Sequence, residues 1–176
     1  TPLAWYEYDG KAKLGTVAVA MLSYLALPER ADGQEQVLAE LDAMQRHLWI
    51  GEGEQRGRFR TFFNPADRDD NHQFYPGEAM LAWAQYQRVA PTEKRRQMLD
   101  ASFDYYYRWH LEPENRNPAF IPWHTQAYVE MWRQKPDERL VEAVFTMNDW
   151  LIETMQPWEG QEPMGVKGRV YNPDFP

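Results

Sequence analysis

A helix with no polar face has to be surrounded by other protein, and the stretch Tyr75 to Gln87, YPGEAMLAWAQYQ, reads as such a helix. A Pro-Gly turn and Glu78 precede Ala79, Met80, Leu81, Ala82, Trp83 and Ala84, which leave almost nothing for water to contact. Two similar stretches occur, Lys13 to Leu27 and Trp123 to Lys135, and by the same argument all three are expected to be interior helices.

Each interior stretch is followed by a more polar one. Val37, Leu41, Met44 and Leu48 recur at helical spacing between Glu35 and Trp49, with Glu40, Asp42, Gln45 and Arg46 marking the wet side. Glu93 to His110 carries Leu99, Phe103, Tyr106 and His110 on one stripe. The segment after Pro136-Asp137 carries Leu140, Val144, Met147 and Leu151 as far as Met155. The interior helices are expected near Thr16 to Leu27, Glu78 to Val89 and Thr125 to Gln134. The pattern predicts an all-α array of about three helical hairpins in a single domain covering 1–176. Residues 1–14 read as a loop, and alternating Arg and Phe from Arg58 to Phe63 predicts a short β hairpin or strand in the 50–76 connection. Loops as long as that one inside a compact domain are usually functional.

A formal charge of −8 argues against nucleic acid and anionic membrane surfaces as partners, and no apolar run is long enough to span a bilayer. The chain lacks cysteine, which removes disulfides, thiolate metal sites and a thiol nucleophile. Both serines, Ser23 and Ser102, fall inside expected helices rather than on a strained elbow. The four histidines show no strong metal spacing, and the glycines at 51, 53 and 57 fit neither phosphate-binding fingerprint, so no metal or cofactor is expected. Aromatic residues make up 15% of the chain, and several, including Trp5, Tyr6, Tyr8, Phe74, Tyr75, Trp123 and Trp158, fall in expected loops. Rings in a cleft suit flat, partly apolar ligands, so a carbohydrate or another small neutral molecule is the expected partner.

The stretches AKLGTVAVAMLSYLAL (12–27), YPGEAMLAW (75–83) and FIPWHTQAYVEMW (120–132), with NDWLI (148–152) closing the last outer helix, resemble the α/α toroids: six-hairpin glycosidases, sugar epimerases and uronyl epimerases. The resemblance implies a partial α/α toroid with its substrate in a funnel at the N-terminal ends of the inner helices. The segments GRFRTFFNPAD (57–67) and KGRVYNPDFP (167–176) also match in outline. That match is read as a fragment of a longer toroid, or as a half that pairs with another copy.

If the hairpins stack, the residues at the starts of the inner helices converge on one rim, with Tyr6 and Asp9 near them. Glu78 and His124 are the candidate proton-handling pair, since a carboxyl in an apolar funnel is pushed toward neutrality and histidine titrates near neutral pH. Trp123 and Tyr75 are the candidate sugar platform, and Gln126, Asp70, His72 and Tyr8 are the remaining candidate substrate contacts. Each has a plainer explanation: Glu78 as a helix-dipole partner, His124 as a helix-start residue held by a carbonyl, Asp70 and His72 as solvated turn residues, and the rings as packing. The expected activity is that of a glycoside hydrolase or epimerase; the alternative is a non-catalytic module binding a glycan or a partner protein.

Overall fold

The computed structural model describes residues 1–28, 32–156 and 168–170. Six helices dominate these residues: α1 (Leu14–Leu25), α2 (Gln34–Leu48), α3 (Tyr75–Val89), α4 (Glu93–Leu111), α5 (Phe120–Gln134) and α6 (Glu138–Met155). The inner helices form a row, with α3 between α1 and α5, while α2, α4 and α6 pack behind α1, α3 and α5 respectively. Their first turns meet at one end, where Gly15 of α1 faces Tyr75 and Glu78, and Gly77 of α3 faces Trp123 and His124. Toward the other end Gln134 Nε2 donates to Ala84 O at 2.8 Å. The three therefore run side by side in the same direction.

The glycines set this closeness. A Cβ on Gly15 would lie 2.5 Å from Tyr75 Cδ1, and one on Gly77 would lie 2.7 Å from Trp123 Cβ. Only a residue without a side chain lets the neighbouring helix start so near.

A three-stranded antiparallel sheet caps that same end: β1 (Glu7–Tyr8), β2 (Lys11–Lys13) and β3 (Phe62–Asn64). Ala12 pairs with Asn64 and Lys13 with Phe62, and Leu14 N–H donates to Thr61 O at 2.9 Å, so β2 runs directly into α1. The Asn64-Pro65 peptide bond is cis. The chain is thus mostly helical rather than purely all-α. The strand expected in 50–76 does form, but its partner is a hairpin in residues 1–14, a stretch expected to be loop. Asp9 and Gly10, both at positive φ, make the turn of that hairpin.

Three further expectations are corrected. Helix α5 begins at Phe120 rather than near Thr125, because Pro122 in a first turn gives up no hydrogen bond the helix needs. Trp123 and His124 consequently belong to the helix. Asp42 and Gln45, read as the wet side of α2, are buried. Asp42 meets Arg95 of α4 (Nε–Oδ1 3.2 Å), and Gln45 Nε2 donates to Ala79 O at 3.2 Å, so each carries a partner into the interior. Finally, full burial holds for Ala79 to Ala84 of α3 but not for its neighbours. As the ends of the row, α1 exposes Val19 and α5 exposes Trp132.

The core lies between the two layers, with Trp83, Tyr106, Tyr128, Phe59 and Phe120 as its largest fully buried rings. Phe59 N–H donates to the Tyr106 hydroxyl at 2.9 Å, fixing the long connection against α4.

Candidate functional site

Where the first turns of α1 and α3 meet, an open groove of about 550 Å³ is lined mainly by apolar surface, with Tyr6, Gly15, Thr16, Val19, Tyr75 and Glu78 among its walls. Glu78 enters it because the first turn of α3 aims this side chain at α1, where Oε2 comes within 2.6 Å of the position a Cβ on Gly15 would take. Burial raises the Glu78 carboxyl above the usual glutamate range, and among the described residues it has no hydrogen-bond or ion-pair partner. Tyr75 places its ring against Gly15 and edge-on to Phe62, 6.1 Å between centroids. Burial, then the neighbouring Glu78 charge, raises its phenol.

Hydroxyl groups edge the groove. Thr16 Oγ1 donates to Lys13 O and Ser23 Oγ to Val19 O, each at 2.8 Å, which leaves oxygen lone pairs free to accept. Tyr6 and Tyr24 lie together at its margin, and the interaction with Tyr24 raises the Tyr6 phenol. The signal for these walls was present in the sequence as the spacing Gly15, Val19, Ser23, one face of a helix read only as buried.

His124 lies elsewhere. Its ring packs against Gly77 from α5, has 0% exposure, and stacks on Phe120 with 3.5 Å between centroids. Its Nδ1 lies 2.9 Å from Phe120 O, an N–H donor to that carbonyl, and burial lowers its pKa to about 3. It is a neutral core imidazole at neutral pH. Glu78 faces α1 and His124 packs between α5 and Gly77, so the structure does not bring the expected pair together around one opening. Trp123, half-buried, presses its Cβ toward Gly77. Gln126 is exposed, with Nε2 donating to Pro122 O at 3.0 Å.

Tyr8 is 84% exposed on β1. Asp70 is exposed and pairs with Arg68 Nε at 2.8 Å. The carboxylate beside His72 is that of Asp69, which sequence reasoning passed over (Oδ1–Nε2 3.3 Å). Asp69 also accepts from Thr61 N–H and Thr61 Oγ1, each at 3.0 Å, and meets Arg58 at 2.5 Å. Burial alone would raise Asp69, but the Thr61 hydrogen bonds and the Arg58 charge outweigh it and hold the carboxyl below its usual range. Burial and the Arg58 guanidinium lower His72 in turn. With every member partnered, this cluster pins the long connection rather than offering itself to a ligand.

Among the described residues no cluster of three or more histidine and carboxylate side chains is arranged to hold a metal ion. No helix among them is long and apolar enough to cross a membrane. Comparison of the chain with protein families, with curated proteins and with solved structures finds no match.

Proposed function

We propose that this chain is a carbohydrate-active helical-hairpin module of the α/α-toroid kind, taking a neutral sugar in the groove between the first turns of α1 and α3, with Glu78 as its proton donor. The observation that carries the reading is the Glu78 carboxyl itself: half-buried, raised by desolvation and without a partner among the described residues. Such a group costs folding stability, which is the usual signature of a side chain kept for a task. Around it lie what a sugar needs, a ring (Tyr75) for an apolar face and oxygen atoms (Thr16, Ser23) for hydroxyl groups.

The groove also limits the chemistry. Hydrolysis of a glycoside ordinarily takes two carboxyl groups, and Glu78 is the one carboxyl among the described residues lining this groove. A single raised carboxyl can give a proton to an oxygen and, once ionised, take one back, so proton transfer is the chemistry this groove offers. His124, with no exposed surface, is left as a packing residue.

The second reading, a binding module without turnover, draws on a separate feature. An apolar groove between α5 and α6 is lined by Tyr128, Val129, Trp132, Leu140, Val144 and Phe145.

The test is titration of the protein with a panel of neutral oligosaccharides, read by calorimetry and by product formation, for the natural chain and for Glu78→Gln. Binding with turnover that falls ~10²-fold or more in the variant, at an undiminished melting temperature, is the expected result. Sugar binding without turnover favours the second reading. No binding by the natural chain overturns the carbohydrate assignment.

A further inference from the structure

The joint between α3/α4 and α5 recurs as an empty seat on α5/α6. In the filled joint, Gly77 receives Trp123 and His124, Phe103 of α4 meets Tyr128 edge-on (4.9 Å between centroids), and Gln134 reaches Ala84 O. Laid on the next hairpin by the same contacts, Leu81 corresponds to Val129, Ala84 to Trp132, Leu99 to Leu140 and Phe103 to Val144. Leu81, Ala84, Leu99 and Phe103 are buried where α5 covers that side. Their counterparts line a groove of about 320 Å³ whose walls expose apolar atoms, with Trp132 43% and Phe145 63% exposed. The helix that would fill it is therefore an inner helix of the same kind, starting at the same end of the row.

The chain carries that helix too. Within the row, α3 turns Tyr75 and Glu78 toward α1, and α5 turns Trp123 and Gln134 toward α3. The corresponding flank of α1 is formed by Lys13, Thr16, Ala20 and Tyr24; α3 packs on α1 from the Gly15 side, and the flank borders the Glu78 groove, where Tyr6 lies beside Tyr24. Ala20 stands where α3 has Ala82, a fully buried residue one turn after Glu78, so α1 offers the same small residue for close approach.

We infer that the α5/α6 groove docks the α1 flank of a second copy of this chain, extending the row head to tail. Such contacts are heterologous: each copy gives one surface and receives on the other. Because Thr16 and Ala20 also line the Glu78 groove, the second copy walls that groove on its open side.

The experiment is sedimentation velocity on the whole chain across the micromolar range, with Phe145→Glu altering the seat and Ala20→Arg altering the flank. Circular dichroism and thermal melting confirm that each variant folds. The natural chain is expected to sediment at twice its monomer mass or above. Each variant alone is expected to lose the greater part of that association. An equimolar mixture of the two is expected to form a one-to-one pair, because one undamaged seat then meets one undamaged flank. A natural chain that remains monomeric throughout, association that survives in either folded variant, or a mixture that stays monomeric each overturns the proposal. The readout is mass, so it is independent of whether any sugar binds.

Discussion

Glu78 reaches across from α3 to touch Gly15 of α1, its Oε2 2.6 Å from where a Cβ on that glycine would stand. One missing side chain thus determines both how closely two helices start and whether a carboxyl has room in the groove between them. A hydrogen at position 15 keeps the wall of the site low.

Gly15→Ala tests that dependence. Alanine is favoured over glycine inside a helix by about 1 kcal/mol, which would make the change stabilising if nothing opposed it. The added methyl meets Tyr75 Cδ1 at 2.5 Å and Glu78 Oε2 at 2.6 Å, and overpacking of this kind costs about 1–3 kcal/mol. A net loss of about 1 kcal/mol is expected in a urea melt, together with displacement of Tyr75 and weaker sugar binding. Gly77→Ala is expected to lose more, because its methyl meets Trp123 Cβ at 2.7 Å, an atom fixed to the α5 backbone that cannot swing away. Equal stability of the two variants would contradict the account of the helix spacing.

The Asp42–Arg95 pair is the second place where a single change is expected to be costly. Arg95 donates from Nε to Asp42 Oδ1 at 3.2 Å and from Nη1 to Ala90 O at 2.6 Å, and its guanidinium lies 4.1 Å from the Tyr86 ring centroid. It thereby joins α2, the end of α3 and α4. Arg95→Met leaves the Asp42 carboxylate buried with Arg46 (3.1 Å) as its remaining ion partner, and a loss of about 3 kcal/mol is expected in chemical denaturation. Asp42→Leu combined with Arg95→Met is expected to recover most of it, since apolar residues then replace both charges. A double variant no more stable than the single would show that Arg95 acts by packing alone.

The parts of this fold legible in the sequence are those that follow from apolar periodicity. The three inner helices, their common direction and their shared end all follow from stretches such as AMLAWA with a polar stripe after each. Periodicity cannot reveal a polar residue buried with a partner, because the partner is distant in sequence. Asp42 finds Arg95 fifty-three residues later, and both look like surface charges when read alone. The same blindness explains the site. Glu78 could be placed at the rim from its position in a first turn, but whether His124 shared that opening depended on which way α5 is rotated about its axis. The Trp123 and His124 contacts with Gly77 answer that, turning the imidazole into the core beside Phe120. Asp69 and Asp70 are adjacent acids in a turn-rich loop, and only the fold of the loop against Thr61 decides which of them meets His72.

The proton-donor role of Glu78 carries its own pH dependence. Its carboxyl is raised by burial, so it stays protonated to higher pH than an ordinary glutamate. Turnover that needs the acid form is expected to be full at low pH and to fall as pH rises through that raised value. The falling limb should be absent from whatever residual rate Glu78→Gln retains. A rate that instead rises over the same range would assign Glu78 the role of base.

Acid is expected to weaken the fold itself through two histidines that never meet solvent as cations. His110 and His124 sandwich Phe120, their rings stacked at 4.8 and 3.5 Å from its centroid. Burial lowers them to about 4 and about 3, the Arg116 charge adding to the effect at His110. Unfolding frees both imidazoles to bind protons near pH 6.5, so below that value the unfolded chain holds more protons than the folded one. Their contribution is therefore complete above about pH 6.5 and declines as pH falls toward the folded values, by roughly 2 kcal/mol for each histidine on reaching pH 5. His124→Phe keeps a flat ring against Phe120 and removes the titrating group, so its stability should decline less between pH 7 and pH 5 than that of the natural chain. Urea melts at a series of pH values read this directly. An unchanged slope in His124→Phe would mean that this ring does not titrate on unfolding in this range, and that acid sensitivity arises at His110 or among the carboxylates.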